Sequence, residues 1–152
     1  MKQIRRLAKE DTLLLRELVS VFAAAFDYSQ SQRDDVPGTT YMVSLLAKPD
    51  FFALVALDEG KVIGGLTAYE LPLATSDKKE LYIYDLAVDV CYRKQGIATA
   101  LLQELKIVAG ENGISLIFVE AESADEGAVA FYKSLRVEQL SVEHFNIAIP
   151  LE

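Results

Sequence analysis

Apolar positions along this chain recur with two different periods, and the alternation between them predicts its elements. Leu14, Leu15, Leu18, Val19 and Phe22 fall at helical spacing, so a helix is predicted from an Asp11 or Thr12 cap to about Phe26. A second, shorter helix is expected from Thr39 or Thr40 to Leu46, stopping before Pro49. Strands are predicted at 4–7, 50–57, 61–71, 80–90 and 114–121, where β-branched and aromatic residues crowd together. Asp58-Glu-Gly-Lys61 reads as a hairpin turn with Gly60 at positive φ, and Gly64-Gly65 as a bulge or a close backbone approach. Ile97, Ala98, Leu101, Leu102 and Leu105 return to helical spacing, giving a helix from Gly96 to about Glu111 that Asn112-Gly113 ends. Asp125 is placed to cap a further helix to about Leu135, and residues 137–149 are expected to close the chain as one or two strands. Residues 28–40 lack periodicity and read as a loop, either a solvated connector or a segment facing a substrate through Asp34 and Asp35. Helices interleaved with hairpins and one strand–helix–strand unit make an α/β fold, read here as one domain over residues 1–152.

Composition narrows the class. With 152 residues, 51% of them hydrophobic and 25% charged, the chain has the size and balance of one globular domain. No apolar run approaches a membrane span, and Met1-Lys2-Gln3-Ile4-Arg5-Arg6 has no signal-peptide character, so a cytoplasmic location is expected. A single cysteine, Cys91, forbids an intrachain disulfide and a thiolate metal cluster, and no metal is expected. The formal net charge of −8 disfavours nucleic acid and anionic membranes as partners and favours a cationic small molecule.

Against that acidic background, Arg93-Lys94-Gln95-Gly96-Ile97-Ala98 is a basic turn between an apolar strand and a helix start. The first N–H groups of a helix have no partner within it, and the helix dipole adds partial positive charge there, so the turn suits a phosphate. The spacing is neither that of a P-loop nor that of a dinucleotide fingerprint. Arg93, Gly96 and Ala98 match Arg/Gln-x-x-Gly-x-Gly/Ala directly after Leu86-Ala87-Val88, which resembles the acetyl-CoA site of the GNAT superfamily of N-acetyltransferases. Ala128 and Tyr132 match a second pattern of that family, Asn-x-x-Ala-x-x-x-Tyr-x-x-x-Gly. Asp125 replaces its Asn, and Arg136 replaces its Gly, so the exit from this helix is expected to take another shape.

The resemblance implies a GNAT fold, a mixed and mostly antiparallel sheet flanked by about four helices. It implies acetyl-CoA held by Leu86, Ala87, Val88, Arg93, Lys94, Gln95, Gly96, Ile97, Ala98, Thr99 and Tyr132. A backbone N–H near Ala87 or Val88 would face the thioester oxygen, and Tyr132 would protonate the leaving thiolate, unless that phenol is an ordinary core aromatic. For the base, the strand carboxylates stand out: Asp85 interrupts an apolar run, and Glu120 and Glu122 share a face if their strand stays regular. Solvated strand-end charge is the plain alternative for Glu120. Tyr82 and Tyr84 either line an acceptor slot or pack.

A narrower likeness covers about residues 22–147. Glu80-Leu-Tyr-Ile-Tyr-Asp-Leu-Ala-Val, Tyr92-Arg-Lys-Gln-Gly-Ile-Ala-Thr-Ala-Leu-Leu, Ala68-Tyr-Glu-Leu-Pro and His144-Phe-Asn-Ile are similar to aminoglycoside 3-N-acetyltransferases of the gentamicin-resistance type. Glu122 and Asn146 stand where Asp is usual in that group. The implied substrate is an aminoglycoside or another cationic amine such as a polyamine, met by Asp34, Asp35, Tyr82, Tyr84, Asp85, Glu120, Glu122, His144 and Asn146. His144 is equally readable as a packed strand residue. A homodimer is what the family suggests. The rival from another class is a non-catalytic acyl-CoA-binding domain, which would have no need of Tyr132.

Overall fold

The apolar runs become the inner strands of one sheet. In the computed structural model, which describes residues 2–151, the order is β1 (Lys2–Arg6), α1 (Thr12–Ala25), α2 (Gln30–Asp34), α3 (Thr39–Leu46), β2 (Phe51–Asp58), β3 (Lys61–Pro72), β4 (Lys79–Val88), α4 (Ile97–Glu111), β5 (Ile114–Val119) and α5 (Glu126–Ser134). The strands lie in the order β1-β2-β3-β4-β5. Every neighbouring pair is antiparallel except β4 and β5, which run parallel because α4 carries the chain back between them. This is the five-stranded mixed sheet of a GNAT fold, and the one helix beyond the expected four is the short α2.

The chain divides into two units, residues up to Glu120 and residues from Ala121 onward. In the first unit the sheet is covered on both faces, which is why β2 is buried without interruption from Phe51 to Leu57 rather than on alternate residues. Leu15, Leu18 and Phe22 of α1 and Met42 and Leu46 of α3 form a cluster with Phe51, Ala53, Val55 and Ala87. Phe52 and Leu54 point the other way, and α4, with Leu101 and Leu105 fully buried, packs across the sheet. Gly65 is where α1 comes closest. A Cβ at that position would lie 2.5 Å from Leu18 Cδ1 and 2.5 Å from the Leu54 carbonyl oxygen. Beside it the β2–β3 register slips between Ala56 and Leu57, so the two glycines mark both a bulge and a close approach.

Three local expectations are corrected. Residues 28–40 are not wholly loop: Ser29 Oγ accepts from the Gln32 N–H (3.3 Å), Gln32 Oε1 accepts from the Ser29 N–H (2.8 Å), and this capping box holds α2. No residue of α2 is buried, so apolar periodicity carried no trace of it. The fourth strand stops at Val88, not at 90, because Asp89 Oδ1 accepts from the Cys91 N–H (2.9 Å) and starts a turn of 3-10 helix over Val90–Tyr92. Asp11 does precede α1, but its carboxylate binds Arg5 and the Ala8 N–H (2.7 Å) rather than capping the helix.

The second unit holds α5, capped by Asp125 Oδ1 accepting from the Ala128 N–H at 3.1 Å. Residues 137–151 form neither helix nor strand, against the expected one or two closing strands. Their alternating apolar residues suit a strand, but a strand needs an edge to pair with, and the other regular element of this unit is a nine-residue helix. Arg136 corrects a further expectation. Its φ of 56° is the left-handed conformation that a Gly would take there, so the helix exit keeps its shape at some backbone strain.

Candidate active site

The basic turn begins where β4 ends. The Arg93 side chain folds back, its Nε donating to the Val88 carbonyl at 3.1 Å, and Lys94 and Gly96 both adopt positive φ (59° and 81°). The buried Ile97 anchors the start of α4, while Arg93, Lys94, Gln95, Gly96 and Thr99 are exposed and Ala98 is half-buried. The first intrahelical bond runs from the Ala100 N–H to the Gly96 carbonyl (2.9 Å). The N–H groups of Ile97, Ala98 and Thr99 therefore have no acceptor within the helix. A Cβ on Gly96 would meet nothing within 4 Å, so the space beside this residue is open. The donor set and the open space fit a pyrophosphate.

Beside the turn the sheet comes apart. Leu86, Ala87 and Val88 pair with Leu66, Gly65 and Gly64 of β3, but pairing of β4 to β5 ends at Ile83 and Val119. Five residues of β4, Tyr84 to Val88, thus run beyond their parallel neighbour, and backbone groups on that side are open to a ligand with amide groups of its own. A cleft of about 660 Å³ also reaches the turn, between α1 (Val21, Ala24), the β2–β3 hairpin (Gly60, Lys61), Val88 and Arg93.

Asp85 reaches its surroundings through a second irregularity. The β3–β4 register pairs Thr67 with Asp85 and then Ala68 with Ile83, leaving Tyr84 as an extra residue. Thr67 and Tyr69 share a face of β3, and Tyr69 pairs with Tyr82, so Asp85 lies on the face of Tyr82 although it stands an odd three positions further along. A regular strand would have put it on the other side. Around it runs an aromatic row: ring centroids are 5.2 Å apart for Phe51–Tyr69, 5.9 Å for Tyr69–Tyr84, 5.7 Å for Tyr82–Tyr84 and 4.9 Å for Tyr82–Phe118. Desolvation pushes the half-buried Asp85 carboxyl above the ordinary carboxylate range, and a hydrogen bond from Thr67 Oγ1 to Oδ2 (2.8 Å) partly opposes it. Tyr28, Tyr69 and Tyr82 are raised first by desolvation and then by negative charge, Asp85 for the first two and Glu120 for Tyr82. Tyr28 is brought here by Arg33, whose Nε and Nη2 donate to the carbonyls of Tyr28 (3.1 Å) and Ala23 (3.2 Å). The sequence analysis missed Tyr28, Thr67 and Tyr69. The one available signal was a Thr inside the apolar run of β3.

The remaining predicted residues are distributed as follows. Asp34 is exposed and accepts from Gln30 Nε2 (2.8 Å), and the exposed Asp35 caps the end of α2. Glu120 lies just past β5 and accepts a hydrogen bond from Tyr82, so strand regularity does not put it on one face with Glu122. Glu122 belongs to the second unit, is exposed, and its carbonyl accepts from the Asp125 N–H (2.9 Å) at the start of α5. Tyr132 on α5 is half-buried, its phenol pushed up to about 12 by burial first and by Asp125 second. His144 Nε2 and Asn146 Oδ1 are 2.8 Å apart on an exposed stretch, not in a strand. Among the described residues no cluster of His, Cys, Asp or Glu is built to hold a metal ion, and no helix is long and apolar enough to cross a membrane.

Comparison with known proteins gives these features a setting. A crystal structure of an aminoglycoside acetyltransferase from an uncultured soil metagenomic sample shares 37% identity, with a TM-score of 0.93 over 99% of each chain. A second such enzyme of soil metagenomic origin, in complex with sisomicin, shares 33% identity with a TM-score of 0.93 over 98% of this chain and 97% of its own. Human N-acetyltransferase 8B is 30% identical over 93 residues, 61% of this chain and 41% of that protein, so the match spans less than half of the relative's length. Residues 13–135 match the acetyltransferase (GNAT) family, whose enzymes use acetyl-CoA. With that match covering most of the chain, and with the five-stranded mixed sheet already described, the chain belongs to the acetyltransferase (GNAT) family.

Proposed function

We propose that this acetyltransferase acetylates an amine of an aminoglycoside, the 3-amino group, and that its role is resistance to the drug. The observation that carries the reading is Asp85, a desolvated carboxylate turned onto an aromatic sheet face in an acidic protein. Tyrosine faces and a carboxylate together suit an ammonium group that must leave water and then lose a proton. Likeness to two aminoglycoside acetyltransferases over nearly the whole chain supports the same substrate class. Acetyl-CoA, when bound, supplies a thioester. The residues that would hold it are Arg93 to Thr99 through backbone donors and Leu86 to Val88 through the open edge of β4. Ala87 or Val88 N–H is assigned to the thioester oxygen, and Asp85 takes the proton from the amine. Tyr132 is assigned as the acid: with its pKa near 12 it holds its proton throughout the working pH range. Glu122, Glu120, His144, Asn146, Asp34 and Asp35 are proposed as further contacts for a polycation.

Turnover of acetyl-CoA with gentamicin, sisomicin, kanamycin, spermidine and a peptide amine tests the reading. Aminoglycosides should be acetylated, with modification at the 3-amino group visible by NMR, and transfer confined to spermidine or the peptide would overturn it. Asp85→Asn should lower kcat/KM for the drug more than tenfold, about 1.4 kcal/mol of transition-state stabilisation. The sign of its pH behaviour follows from the raised pKa. The carboxylate is lost as pH falls through a value above the ordinary range, so the acid limb of kcat/KM lies above that range. Folding likewise takes up protons at this group, and stability falls as pH rises from the ordinary carboxylate pKa through the raised one. Asp85→Asn removes that penalty, so at neutral pH the variant should melt no lower than wild type while losing activity.

A further inference from the structure

We propose that Thr67 is a positioning residue for acetyl transfer: its hydroxyl holds Asp85 Oδ2 and so aims Oδ1 at the substrate amine. The inference rests on the reading of Asp85 as the base. Thr67 is 7% exposed and is the one buried polar residue among those described. Val has the same shape and would fill the space without a hydroxyl to desolvate, so packing alone does not call for Thr at this position. The hydroxyl instead donates to Asp85 Oδ2 at 2.8 Å across the register pair that the Tyr84 bulge creates. Without the bulge, Thr67 and Asp85 would not face each other. With it, one carboxylate oxygen is fixed by a rigid, β-branched side chain on a central strand, beside tyrosines close enough to feel the charge of Asp85. The hydrogen bond also favours the charged form, the form that accepts a proton, against the desolvation that disfavours it. The titratable groups around Asp85 are Tyr28 after α1, Tyr69 on β3 and Tyr84 and Tyr82 on β4, with Glu120 attached to Tyr82 and Tyr41 of α3 acting on Tyr69. Of these, Glu120 is the one other carboxyl group.

The test compares Thr67→Val, Thr67→Ser and Asp85→Asn, alone and combined, with pH profiles also taken in a Glu120→Gln background to separate the second carboxyl. Thr67→Val should lower kcat by about ten- to a hundredfold, the scale of a misplaced catalytic group. KM for acetyl-CoA should be unchanged, and the acid limb should move to higher pH because the bond that stabilised the carboxylate is gone. Thr67→Ser keeps the hydroxyl and should restore most of kcat and the position of the limb. In an Asp85→Asn background, Thr67→Val should have no further effect on kcat. If Thr67→Val does not fold, Thr67→Ala replaces it in the same comparison. Wild-type kcat and pH profile without the hydroxyl, or no recovery in Thr67→Ser, would reduce Thr67 to a packing residue and overturn the inference. A fully active Asp85→Asn overturns the assignment of the base instead, so the two failures are distinct.

Discussion

Two apolar stretches in this chain promise strands, and they end in opposite states. Residues 51–57 are buried throughout, whereas Val137, Leu140, Val142, Phe145, Ile147, Ile149 and Leu151 are all exposed. Residue type does not separate them. The first stretch has β3 along one edge, β1 along most of the other and helices over both faces, so its side chains are packed on all sides. The second belongs to a unit whose regular structure is one helix. Alternation is thus a statement about what a segment can join, and the neighbours decide whether it does.

That contrast is sharpest between two phenylalanines. Phe52 is 0% exposed and Phe145 is 82% exposed. Phe52→Ala should cost about 3–5 kcal/mol in denaturant unfolding, since it empties a site in a close-packed sheet core. A much smaller cost would mean that β2 tolerates a void and that the two stretches differ less than their burial says. Arg136→Gly removes a side chain from a left-handed position and should stabilise α5 by up to about 1 kcal/mol, read as a rise in Tm. It probes the second unit directly, because stabilising a helix exit there should leave the folding of the sheet alone. Phe145→Ala should have the smallest effect, within about 0.5 kcal/mol. A loss of several kcal/mol at this exposed position would show that the segment is covered in solution and would dissolve the contrast.

The fold was readable because its signals are local. Helical spacing located α1 and α4, a Thr start and a Pro stop located α3, the Asp-Glu-Gly-Lys turn located the first hairpin, and Gly64-Gly65 announced an unusually close contact. Where a signal depended on hydrogen bonds between polar side chains, as in the Ser29–Gln32 capping box, periodicity missed it. The turn from Arg93 to Ala98 was legible as a strand-to-helix turn because Gly96, at positive φ, stands directly before the apolar spacing of α4. The environment of Asp85 was not. Its facing depends on one extra residue in β4, and a one-residue slip reverses every side chain downstream without altering composition or pattern. Thr67 and Tyr69 come to it from β3 and Tyr28 from the segment after α1, and no spacing rule joins these parts of the sequence to Asp85.

The separation of β4 from β5 after Ile83 carries a consequence for how such a protein can be improved. Each further pair added between the two strands would be expected to strengthen the sheet, and each would also seal part of the opening through which Tyr84 to Val88 present their backbone. If these amides hold acetyl-CoA as proposed, selection for robustness and selection for ligand capture pull on them in opposite directions. In hydrogen exchange, that segment should open at lower free energy than Leu54 or Leu66 nearby and should gain protection when acetyl-CoA is added, with the gain following the free energy of binding. Thermostable variants are then to be sought on the outer strand β1, at the far edge of the sheet from the β4–β5 gap.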